Sequence, residues 1–169
     1  TGSYALGYAD RPVLDDQMRL LCNPAATPGR FTVEATIPTT GTIYRWLSRL
    51  FYGDQDERFE RINREAAESP PGANGVRLLP HFQGSGSPDW DNEARGLFSG
   101  LTLATSRGDM ARATLEGIAR ELAKNIAIIQ EKVGPVSSVR AAGGLSNLPL
   151  FNQIQADAFG LPVELLAER

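Results

Sequence analysis

The stretch Ser138–Val163, SVRAAGGLSNLPLFNQIQADAFGLPV, decides how the rest of the chain is read. Val139 to Ala142 is short and apolar, as a strand needs, and Gly143-Gly144 breaks it. Pro149 fits the first turn of a following helix, where the N–H it lacks has no intrahelical partner. Phe151, Leu150, Ile154 and Ala158 recur at helical spacing. Gly160 stops the helix, and Pro162-Val163 opens a second strand. The pattern is strand, double glycine, helix, strand. A glycine turn before a helix lets backbone approach a ligand and turns free N–H groups toward negative charge. It also serves as a plain tight turn, and on this stretch alone both readings stand.

Working outward, the spacing predicts that the longest helix precedes this unit, over Arg107–Val133. Met110, Ile118, Leu122, Ile126, Ile129 and Val133 share one face, and Gly134-Pro135 ends it. Further upstream, Val76–Leu79 reads as a strand entering a shaped loop that contains GSGS at Gly84–Ser87. Asp54–Ala67 reads as a charged amphipathic helix with Phe59 and Ile62 inward. Gly41–Phe51 reads as a helix burying Ile43, Trp46, Leu47 and Leu50. The first forty residues are β-rich. Thr1–Asp10 and Met18–Cys22 form two strands with the turn-forming ADRPVLDD between them as in a hairpin, and NPAATPG follows as a loop. Arg30–Ile37 then alternates like a half-buried strand. A β-rich start followed by alternating helices and strands predicts a mixed α/β layer fold.

Composition narrows the function classes. The 169 residues suffice for one domain with a sizeable core, or for part of a larger protein. Lys+Arg 17 against Asp+Glu 20 gives a net charge of −3, with no basic run, which argues against a nucleic-acid partner. The single cysteine, Cys22, excludes an internal disulfide and suits a reducing, cytoplasmic compartment. No apolar run approaches the roughly 18 residues of a membrane span. The chain opens on Thr1 as if within a strand and stops just after one, so both ends read as cuts in a longer protein.

Several chemistries lack their residues. Nothing fits the Walker P-loop, and no G-x-G-x-x-G follows a strand. His81 is the only histidine, so a zinc site or a serine triad has little to build on. Glu116, four residues from Arg112 and from Arg120, reads as part of a helix-surface ion-pair ladder rather than as a buried acid. Trp46 and Trp90 read as packing residues.

Three stretches together resemble the C-terminal domain of the FGGY family of carbohydrate kinases. GLFSGL, seven residues, then DMARATLE, over Gly96–Glu116, is similar to the family's second signature. AAGGLSNLPLFNQIQADAFGLPV is similar to its adenosine motif. TGSYALGYADRPVLD is similar to its second phosphate loop and the hairpin after it, and GTIYRWL at Gly41–Leu47 to its nucleotide-side helix start.

The resemblance implies an actin-like, RNase H-like ATPase domain, a mixed sheet flanked by helices, truncated at both ends. It implies that residues 1–169 are the partial C-terminal nucleotide-binding domain, with the N-terminal sugar-binding domain outside the chain. MgATP would be the phosphoryl donor and a sugar or polyol the acceptor, bound mainly by that other domain. The expected acceptor is a ketopentose such as xylulose, with glycerol or another polyol as the alternative. The resemblance places Thr1 and Gly2 at the β- and γ-phosphates, Gly41 and Arg45 near the nucleotide, Gly143, Gly144 and Leu145 along the adenosine, and Leu148 near the base. Leu145 stands where many members have a small residue, and Leu148 where some have a polar one. Asn147 next door stays open as the contact to adenine, as does a base held by apolar contact alone. The catalytic aspartate of the family lies upstream of Thr1, so the segment alone is expected to be inactive. A homodimer stays open. Two other classes remain: an actin-like nucleotide-binding module without kinase activity, and an α/β interaction domain whose glycines are only turns.

Overall fold

A computed structural model describes residues 2–166; Thr1 and residues 167–169 lie outside the described part. Strand β1 (Ser3–Ala9) leads to β2 (Leu21–Pro24) and β3 (Phe31–Ile37), then helices α1 (Gly41–Tyr52) and α2 (Arg58–Glu68). Strands β4 (Arg77–Leu79) and β5 (Leu97–Ser99) precede the long helix α3 (Arg107–Val133). The chain closes with β6 (Val139–Ala141), a 3-10 turn at Gly144–Asn147, α4 (Pro149–Phe159) and β7 (Val163–Leu165). This is the mixed α/β organisation expected, with the described strands paired in three small sheets: β1-β3-β2, β4-β5 and β6-β7.

Helix α3 is the centre of the molecule. Ser106 Oγ accepts from the Asp109 N–H at 3.0 Å, while the Ser106 N–H donates to Asp109 Oδ2 at 2.9 Å, a reciprocal cap that fixes where the helix starts. Gly134, at φ 92°, ends it. The sequence predicts one apolar face, but the first half of α3 is buried nearly all round. Ala111, Ala113, Leu115, Ile118 and Ala119 are all inaccessible to solvent, whereas Met110, Ile126 and Val133 are only half-buried. Each fully buried Leu or Ile contributes about 1.5–3 kcal/mol. All three apolar clusters described take residues from α3.

Four local expectations change. β1 and β2 do not form a hairpin: β3 lies between them and pairs antiparallel with both, Ser3 opposite Ile37 and Cys22 opposite Val33. The reason lies in the ADRPVLDD turn. The Asp15 carboxylate binds Arg19 and Lys132, each at 2.9 Å, and Arg19 reaches Glu131 at 3.0 Å. The turn is thereby docked on the last turns of α3, and β2, running to Pro24 rather than stopping at Cys22, enters on the far side of β3. In α1 the buried face is Ile43, Tyr44, Leu47, Ser48 and Tyr52, while Trp46 and Leu50 point outward, with Trp46 packing on Phe82. In α2, Ile62 and Ala66 are buried but Phe59 is 37% exposed. Finally, β5, which no periodicity announced, pairs with β4.

The Ser138–Val163 stretch folds as read. Pro149 takes the first position of α4, and Gly160 ends it in the left-handed region at φ 62°. β6 and β7 pair in parallel, Val139 opposite Val163, as a strand–helix–strand unit requires.

Candidate functional site

Three chain segments converge at one side of this framework. The register of β1 against β3 sets Ser3 opposite Ile37, and the chain leaving Ile37 turns through Thr40 into α1. The start of β1 and the start of α1 are therefore neighbours, joined by a 2.8 Å hydrogen bond between the Ser3 and Thr40 hydroxyls. A side chain on Gly2 would run into the carbonyls of Ile37 and Pro38, so only glycine allows this close pass. Thr39 Oγ1 donates to the Pro80 carbonyl at 3.1 Å and anchors the turn from below.

The third segment is the glycine turn after β6. Gly143 has φ 106°, a conformation that L side chains rarely adopt. The turn is held by its own groups. Ser146 N–H and Oγ donate to the Gly143 carbonyl at 2.9 and 2.6 Å, and Asn152 Nδ2 of α4 donates to the Ser146 carbonyl at 2.8 Å. A Cβ added to Gly143 or Gly144 would meet no atom within 4 Å. No contact inside the chain explains glycine at 144; the space it leaves faces outward.

Between these segments lies a cavity of about 630 Å³. It is lined by Gly2, Gly41, Arg45, Gly143, Gly144, Leu145 and Leu148, so every described residue expected at the nucleotide borders one space. Asn147 borders it too, while Thr1 lies outside the described residues. The sequence reading missed Tyr44, Phe59, Asn63, Phe151 and Gln155, which also line it. Phe151 and Gln155 are one helical turn apart on the buried face of α4. A glutamine recurring with an apolar face was the signal available for it.

The cavity's electrostatics are simple. Arg45 is the one charged side chain among the described lining residues, and none of these is a carboxylate. The α1, α4 and 3-10 turn N-termini carry no acidic residue in their first turns, and none has a side-chain cap. Helix starts of this kind favour an anion. Burial pushes the Tyr44 phenol pKa upward, so it stays neutral; its hydroxyl donates to Asn63 Oδ1 at 3.0 Å.

The other candidates lie elsewhere. The GSGS loop is structural: Ser87 N–H donates to the Thr36 carbonyl at 2.9 Å, and Gly86 packs against the same residue. His81 is buried away from the cavity lining, and the Trp90 indole N–H donates to the Met18 carbonyl at 2.8 Å. Half of the ladder expected at Glu116 forms: it receives Arg112 Nε and the Gly72 N–H, both at 2.9 Å, while Arg120 is exposed and in none of the described ion pairs. Among the described residues no three His, Cys, Asp or Glu side chains cluster as a metal site.

The chain has relatives among known proteins and solved structures. The family model for the C-terminal domain of FGGY carbohydrate kinases matches residues 1–169. A glycerol kinase of Gloeobacter violaceus is 34% identical over 170 residues, 97% of this chain and 33% of that protein. The xylulose kinase of Rhodospirillum rubrum superposes with a TM-score of 0.89 at 27% identity, covering 99% of this chain and 33% of that one. A Plasmodium falciparum glycerol kinase solved with ADP shares the fold at TM-score 0.83 and 23% identity, over 97% and 33% of the two chains. The chain thus spans about a third of the length of the relatives it matches.

Proposed function

Because the chain belongs to the FGGY family of carbohydrate kinases, we propose that it is the nucleotide-binding part of an ATP-dependent sugar or polyol kinase. One observation carries the reading. A 630 Å³ cavity with a glycine turn at its edge, and with one cation and no carboxylate among its described lining residues, is bordered by all the described residues expected there. Phosphoryl transfer needs positioning and charge stabilisation more than covalent help, and these are the parts it uses. Gly2 and Gly41 would carry backbone close to the phosphates, and the Arg45 guanidinium, paired in no described ion bridge, would meet their oxygens. Gly143, Gly144 and Leu145 would run along the adenosine, with Leu148 against the base. With no acid among the described lining residues, residues 2–166 offer no Mg²⁺ ligand set at the cavity. The ion is part of the Mg-nucleotide substrate in this proposal, and the base that takes the acceptor's proton comes from outside residues 2–166.

Glycerol or a small polyol is the first substrate reading, ahead of the ketopentose expected from sequence, supported by the 34% identical glycerol kinase. Xylulose is the second, supported by the likeness to the xylulose kinase structure. No described helix is long and apolar enough to cross a membrane, and a cytoplasmic location is part of the proposal.

Calorimetric titration with Mg-ADP tests it. The protein should bind in the micromolar-to-millimolar range, and Gly144→Val should weaken binding at least about tenfold by filling the turn, a loss of about 1.4 kcal/mol. Binding unchanged in that variant would move the nucleotide elsewhere. No binding by the folded parent protein would end the reading. Comparing phosphorylation of glycerol and xylulose by the full-length enzyme separates the two substrates.

A further inference from the structure

Several lining residues remain once the phosphates and the glycine turn are assigned, and Gln155 stands out among them. Gln155 is 7% exposed, borders the cavity beside Phe151, and its Oε1 is buried with no hydrogen-bond partner. Buried side-chain polar atoms are rarely left so; of the seven such atoms among the described residues, Gln155 Oε1 is the one on a cavity-lining residue. The surroundings say what kind of partner fits. Phe59, Leu145, Leu148 and Phe151 make this part of the cavity apolar, which suits a flat aromatic ring. Asn63 also lines it, but one lone pair of its Oδ1 is already taken by the Tyr44 hydroxyl. Gln155 Oε1 is the buried lining acceptor with no partner among the described residues.

We infer that Gln155 reads the edge of the adenine base, its Oε1 accepting from the exocyclic amino group while its amide N–H donates to a ring nitrogen. An amide carries an acceptor and a donor side by side, and the adenine edge presents the complementary pair. Oε1 itself has almost no open surface, so contact with the ring requires the amide to turn, which the broad last torsion of glutamine permits. This inference rests on the nucleotide reading above and supplies what Leu148 cannot, a polar contact to the base.

The test compares ADP with purine riboside 5′-diphosphate, which lacks the exocyclic amino group, both as magnesium complexes in calorimetry. The parent protein should prefer ADP by about 5–10-fold, the worth of one neutral hydrogen bond. Gln155→Met keeps length and removes both polar atoms, and the preference should fall to about one. Gln155→Glu keeps an acceptor, so the preference should return while affinity for both ligands drops. Because the orphaned acceptor contributes nothing to the empty fold, Gln155→Met should unfold at or above the parent temperature. A parent that binds both ligands equally, or a Gln155→Met protein that keeps the preference, overturns the role of Gln155 and leaves the nucleotide reading standing. A parent that binds neither removes that reading itself.

Discussion

The two ends of the molecule use the same devices to opposite effect. At the start of α3, Asp109 is 3% exposed and every oxygen is spoken for. Oδ1 accepts from Ser69 Oγ at 2.7 Å and Asn74 Nδ2 at 2.9 Å, and Oδ2 accepts from the Ser106 N–H and hydroxyl. The glycines of this helix are packed: Gly108 lies against the Glu65 carbonyl, and a Cβ on Gly117 would sit 2.6 Å from the Leu78 carbonyl oxygen. At the cavity, helix starts lack side-chain caps, Gly143 and Gly144 face open space, and Gln155 keeps an unpaired acceptor. A glycine or a helix N-terminus therefore announces nothing by itself. Whether its partners lie within the chain separates a structural joint from a binding site.

The sealed end should fail hardest when opened. Asp109→Ala removes the cap and leaves Ser69, Asn74 and Ser106 donors without an acceptor, and denaturant unfolding should show a loss of about 3–4 kcal/mol. Packed and open glycines give the next contrast. Gly117→Val drives side-chain atoms into the Leu78 carbonyl and should cost about 3 kcal/mol. Gly144→Val should change stability by less than about 0.5 kcal/mol while weakening nucleotide binding. A large loss of stability in Gly144→Val would erase the distinction between the two regions.

Acid provides a subtler probe. Burial alone would raise the Asp109 pKa, but its hydrogen bonds from Ser69, Ser106 and Asn74 outweigh it and carry the value down to about 2. Hydrogen bonding from Arg19 likewise holds the Asp15 carboxyl far below its usual range. A folded pKa below the unfolded one means stability that is complete above about pH 4 and declines as pH falls toward 2. Asp109→Asn should flatten that acid limb relative to the parent, while nucleotide-free cavity variants such as Gln155→Met should leave its shape unchanged.

What could be read from sequence follows the same division. The bounds of α3, the proline at the head of α4 and the glycine at its end were legible because caps and breakers act locally. So were the described residues of the glycine turn and the α1 start, because each is anchored by its own motif. The pairing of β1 with β3 was not, since it depends on Asp15 reaching Lys132 more than a hundred residues away. Trp46 and Phe59 were placed inward by apolar spacing along their helices, whereas Tyr44 and Ile62 are buried and the two larger rings stay partly exposed. Gln155 drew no attention because its significance is an absent partner, which no pattern of residue types records.

Helix α3 runs about 40 Å, from its 27 residues at 1.5 Å each. Its first turn holds the Asp109 network, Leu122 borders the cavity, and Ile129 packs under β1 and β3. No part of the described chain keeps its core once that helix is removed, because each apolar cluster includes α3 residues. Its middle amides should therefore exchange with deuterium only when the whole domain opens. A nucleotide held beside Leu122 would slow that exchange along the helix's full length, including turns far beyond the ligand's reach.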